Sequence, residues 1–163
     1  MSEEERGNLL GECDLILSFL CYNDISAMSR LHRSASAQMS RPAVSIRSSG
    51  GWTFGSPSVL MMFYRAPGEL ESELAEMDEC MPHYYKITGS HGQGAETIMH
   101  AEAAFMQGRF TDAHIALERA YAQIEGNGQE NMALCCDFLA RRLSLFTDIG
   151  QRARFEKRRE QLL

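Results

Sequence analysis

Residues 95–125, AETIMHAEAAFMQGRFTDAHIALERAYAQIE, decide the fold class. Ala95 to Gln107 and Thr111 to Glu125 each place apolar side chains three and four apart, the period of an amphipathic helix. Gly108-Arg109-Phe110 joins them in a turn. Ala101, Ala104, Gly108, Ala113, Leu117 and Ala120 recur as a mostly small-residue skeleton across the two helices and their turn.

The same period extends in both directions from this hairpin. Towards the amino terminus, a helix is predicted from Glu69 to about Ile87, with Leu70, Leu74, Met77 and Met81 on one face and the glutamates Glu71, Glu73, Glu76 and Glu79 on a solvated one. Pro82 lacks an amide donor and predicts a kink or early stop near its end. A short helix over Pro57 to Arg65 follows the Ser56-Pro57 start signal and is broken by Pro67-Gly68. Residues 40–55 hold Pro42, Ser48, Ser49, Gly50, Gly51 and Gly55, so they form the longest loop, which Trp52 and Phe54 are expected to pin to the body. Before it come a helix from about Asp24 to Met39, with Ile25, Met28, Leu31, Ala35 and Met39 on one side, and a first helix from about Glu4 to Tyr22. In that first helix Leu9, Leu10, Cys13, Ile16, Leu17 and Leu20 read as a broad core-facing stripe. Beyond Gly126-Asn127-Gly128, helices are expected over Glu130 to Phe146 and Gln151 to Leu163. The prediction is a single all-α domain over 1–163 with seven or eight helices.

The chain has 44% hydrophobic and 23% charged residues, the balance of a globular protein with a buried core. Sixteen Lys plus Arg against 22 Asp plus Glu give a net charge of −6, which disfavours contact with phosphate backbones and anionic lipid. Leu15 to Leu20 is too short to span a bilayer, and Ser2-Glu3-Glu4-Glu5 has the wrong sign for a signal peptide, so a cytoplasmic location is expected. Cys13, Cys21, Cys80, Cys135 and Cys136 fall inside helical patterns and read as reduced core residues.

The small-residue skeleton of 101–120 is similar to a tetratricopeptide unit, with Thr97 and His100 standing where large apolar residues are usual. Turns at Asn23, Gly68, Gly108 and roughly Asp148 extend the helix-pair frame along the chain as an α-α superhelix. Two further stretches, Trp52-Thr53-Phe54-Gly55-Ser56-Pro57-Ser58-Val59-Leu60 and Met81-Pro82-His83-Tyr84-Tyr85 followed by Ser90-His91-Gly92-Gln93-Gly94-Ala95-Glu96, resemble the helical region of large LuxR-type, MalT-like bacterial transcription regulators. The resemblance covers most of Asp14 to Gly150. It implies a sensor or interaction segment whose partners are the regulator's ATPase switch and helix-turn-helix domains, with DNA reached only through the parent. A stand-alone tetratricopeptide-like scaffold for protein partners is the alternative.

Trp52, Tyr64, His83, Tyr84, Tyr85 and His91 combine aromatic faces with hydrogen-bonding tips, the chemistry that holds a sugar, a small metabolite or a peptide, if the stacked helices bring them to one edge. The Gly89 to Glu96 stretch lacks the Lys-Ser/Thr pair of a phosphate loop, and Glu96 opposes an anion there. There is no Gly-x-Ser-x-Gly elbow, no His-x-x-x-His and no Cys-x-x-Cys, so no catalytic residue, cofactor or metal is expected. Arg152, Arg154, Lys157, Arg158 and Arg159 read as the solvated face of a last helix whose apolar side, Phe155 and Leu162, would favour packing on a neighbour or a homodimer.

Overall fold

The computed structural model describes residues 1–21, 23–47, 58–126 and 128–148, with 153, 157 and 160 as single positions. Among these residues it is entirely helical, with no strand. The helices are α1 (Glu3–Leu20), α2 (Ile25–Gln38), α3 (Val59–Phe63), α4 (Leu70–Thr88), α5 (Ala95–Met106), α6 (Phe110–Ile124) and α7 (Glu130–Thr147). They pack as a row: α1 on α2, α2 on α4, α4 on α5, α5 on α6 and α6 on α7, with α3 laid against α5. Trp52, Phe54 and most of the basic segment after 148 lie outside the described residues.

Local chemistry sets the helix ends. Ser2 and Glu5 form a capping box at the start of α1, and Asp24 and Ser58 accept amide hydrogens at the starts of α2 and α3. The α3 cap is thus two residues beyond Ser56, the cap that the Ser56-Pro57 signal predicts. Gly89 ends α4 in the left-handed region that a Cβ disfavours. Pro82 does not stop α4, which continues to Thr88. Both Pro82 and Asp78, whose carbonyl lacks the helical donor four residues on, lie on the exposed side, where that carbonyl is not sealed from solvent.

The α5–α6 hairpin packs as its sequence implies. Ala101, Ala104, Ala113, Leu117 and Ala120 are all buried. Gly108 plays a different part: it is exposed, has φ +75°, and a Cβ there would meet nothing. Its smallness serves the turn rather than the helix contact. The expected Pro67-Gly68 helix pair also differs, because α3 packs on α5 while α4 packs on α2.

The first helix inverts its expected orientation. Leu9, Leu10, Ile16, Leu17 and Leu20 are 44–76% exposed, and Cys13 is exposed as well. Its buried residues are Asn8, Gly11, Glu12, Leu15 and Ser18. Glycines explain the approach: a Cβ on Gly7 would lie 2.7 Å from the Gln38 carbonyl oxygen, and one on Gly11 would overlap the Met39 side chain. With the backbones this close, polar groups pair across the seam. Asn8 Oδ1 accepts from the Ser40 amide at 3.0 Å, while Asp14 accepts from Ser34 and Gln38. Glu12 accepts from the Val44 amide at 2.6 Å and from the Ser45 hydroxyl at 2.6 Å, fixing the start of the long loop. Burial alone would raise the Glu12 carboxyl, but the bonds from Ser45, Val44 and Arg41 together hold it below its ordinary value.

Glu73 departs in the same way from the expected solvated acidic face. It is buried, with Arg65 Nε 3.4 Å away, and desolvation raises its carboxyl despite that partner.

Candidate functional site

The stretch from the end of α4 into α5 is a hydrogen-bonded unit. Tyr84 and Tyr85 are consecutive on α4, so their side chains point roughly 100° apart and serve different neighbours. Tyr84 is buried, and its hydroxyl lies 2.8 Å from His91 Nδ1 in the turn. The Tyr85 hydroxyl accepts the Gly94 amide at 3.0 Å and bonds the Glu96 carboxylate. Burial, then the Glu96 charge, push the Tyr85 phenol far above its usual value, so it stays a donor. From α7's amino-terminal side, Gln129 Oε1 accepts the Gly92 amide at 2.9 Å. The amides that an anion would need at Gly92 and Gly94 are therefore engaged by protein groups.

Behind Tyr84 the polar contacts continue into the core. The His32 ring packs 4.9 Å from the Tyr84 ring, with its Nδ1 3.0 Å from Cys80 Sγ and its Nε2 2.9 Å from Ser18 Oγ. Ser18 donates its hydroxyl hydrogen to the Leu15 carbonyl at 2.6 Å, so its oxygen accepts Nε2–H and leaves Nδ1 to accept the Cys80 thiol. A thiol, an imidazole and a hydroxyl in one row are the parts of a nucleophile relay. Their electrostatics run the other way: burial pushes the thiol up to about 12 and, with a contribution from His83, the imidazole down to about 4. Both stay neutral, which makes this row a structural polar spine running from α1 through α2 to α4.

Of the six residues proposed for a ligand site, Tyr84, Tyr85 and His91 come together around the turn, while His83 is half-buried beside them on α4. Tyr64 stands apart, 39% exposed at the end of α3. Trp52 lies outside the described residues. Tyr84 and His91 are both buried, and the two side chains contact each other.

An opening lies one step further on. A depression of about 520 Å³, largely open to solvent, is lined by Tyr121, Ile124, Glu125, Gly126, Gly128, Gln129 and Ala133, where α6 gives way to α7. This is within the range of small-molecule sites. The Tyr121 hydroxyl donates to Asp137 Oδ1 at 2.6 Å, which, after burial, helps raise its phenol well above the ordinary value. Glu125 is exposed at the rim, and Ile124 and Ala133 supply apolar wall. Two carboxylates at or behind the lining disfavour an anion and suit a hydroxyl-rich or amine ligand. Sequence reading passed over this place because Gly126-Asn127-Gly128 signals only a turn. The legible hint was an aromatic and a carboxylate, Tyr121 and Glu125, one helical turn apart beside it.

Among the described residues, no three His, Cys, Asp or Glu side chains gather as a metal cluster, and no helix is long and apolar enough to cross a membrane. No family model, curated protein or solved structure matches the chain.

Proposed function

We propose that this chain is a non-catalytic helical-repeat sensor of a LuxR-type transcription regulator, in which effector binding at the α6–α7 cavity alters how the helix row stacks. The observation that carries this reading is the shared use of Gln129. Gln129 lines the cavity, and its side chain accepts the Gly92 amide, so a ligand that displaces Gln129 acts on the turn joining α4 to α5. A small molecule biases a conformational equilibrium only through unequal affinity for its two states, and a residue common to pocket and joint provides that inequality. The regulator context is supported by the resemblance of 81–96, the segment that forms this joint.

The test is a thermal-melt screen of the whole chain against sugars and amine-bearing metabolites. A true effector raises the melting temperature saturably, and the rise disappears in Glu125→Ala and Tyr121→Ala. A hit that survives both substitutions, or a panel without any stabilising compound, overturns the cavity as sensor. The coding sequence on either side tests the context: an ATPase motif before and a helix-turn-helix after support it. A protein-interaction scaffold is the second reading, favoured by the partly exposed Leu134, Phe138 and Phe146 on α7.

A further inference from the structure

The α1 stripe is the largest aliphatic surface left open on one described element. From Gly7 to Cys21 the charged side chains are Glu12 and Asp14, and both bond residues of α2 or the loop after it. The outward face over that span therefore carries no charge. Its seam is Leu9, Cys13, Ile16 and Leu20, spaced four, three and four residues apart, with Leu10 and Leu17 alongside. That is the spacing of a two-stranded helix seam. It is also the same read backwards, so a reversed copy of α1 sets Leu9 against Leu20 and Cys13 against Ile16.

We infer that α1 pairs with α1 of a second copy of this chain, antiparallel about a two-fold axis passing between Asp14 and Leu15. Self-complementarity of one patch is the requirement of a two-fold interface, and this spacing meets it. The aliphatic side chains expose on the order of 500 Å², near the upper end of what isolated proteins leave open. Covered on both copies, that comes to on the order of 1,000 Å², the size at which specific association begins. The occupant is chosen by charge as well: the chain carries −6, and the uncharged α1 face is where two such molecules meet without juxtaposed carboxylates. This pairing is separate from the α6–α7 cavity, whose lining contains no residue of α1.

Sedimentation of the whole chain from 1 to 200 µM, on the order of the range where modest interfaces dissociate, tests the inference. The expected result is a concentration-dependent dimer, with Ile16→Glu and Leu17→Glu each weakening it at least about tenfold. Both positions are about half exposed, so the variants should retain the wild-type helical signal; a monomer at every concentration overturns the proposal, as does a dimer indifferent to both substitutions. Orientation is read by cross-linking in a Cys13→Ser, Cys21→Ser background. Mixing a Leu9→Cys copy with a Leu20→Cys copy should give far more covalent dimer under a short bis-maleimide than either copy alone. Equal yields in the unmixed samples would refute the antiparallel arrangement.

Discussion

His32 sits between a thiol and a hydroxyl with its ring on Tyr84, and this placement makes it the acid-sensitive residue of the core. Its folded value, about 4, lies below its ordinary 6.5, so between those limits the unfolded chain binds the extra proton. The stabilisation is complete above pH 6.5 and is lost as pH falls through that window, by on the order of 3 kcal/mol. Urea unfolding of the wild type and His32→Gln from pH 7 to 4 should show the two curves converging, with the wild type losing stability faster. Parallel curves would show that the imidazole does not titrate as its surroundings require.

Glycine positions separate packing from turn geometry. Gly7→Ala meets a backbone carbonyl, and the overpacking should exceed the roughly 1 kcal/mol gained in helix propensity, for a net loss of about 1–2 kcal/mol. Gly108→Ala meets nothing but is held at φ +75°, so its cost is strain alone, about 1 kcal/mol. Denaturant midpoints measure both losses, and pairing Gly7→Ala with Gln38→Ala should leave its loss unchanged, since the obstacle is the Gln38 main chain and not its side chain.

At the scale of elements, α3 has only five residues and cannot hold itself as a helix. Its fixture is Glu102 on α5, a buried carboxylate that accepts the Leu60 amide at 2.8 Å. Desolvation raises the Glu102 carboxyl, partly offset by the amide and Ser58 bonds. Glu102→Ala leaves a buried donor without its partner and should cost about 2 kcal/mol. Limited proteolysis should then cut near 59–63 at protease levels that leave the wild type intact; unchanged cleavage would mean that apolar contacts from Val59 and Phe63 alone fix α3. Glu102 reads in the sequence as one more polar position on a helix, because its partner is 42 residues away.

Over the whole molecule, protection should follow the row. Helix α5 contacts α3, α4, α6 and α7 and buries eight of its 12 residues, whereas α1 has α2 as its main neighbour. In linear arrays stability is the sum of neighbour contacts, so the centre opens last. Hydrogen exchange read by mass spectrometry should be slowest in 95–106 and faster in both 3–20 and 130–147. Equal rates throughout would indicate a single cooperative block.

The sequence by itself determined the seven described helices, their order and the α5–α6 contact, because helical period and alanine spacing are local properties of the chain. Only the tertiary structure decided which face of α1 is inside, that Glu12, Glu73 and Glu102 are buried, and that Tyr84 contacts His91. The outcomes at α1, Glu12 and Glu102 turn on partners far along the chain. Hydrophobicity predicts that an aliphatic stripe is buried, but not by what. At α1 the glycine approach to α2 and the bonds that it permits took the interior, leaving the stripe outside.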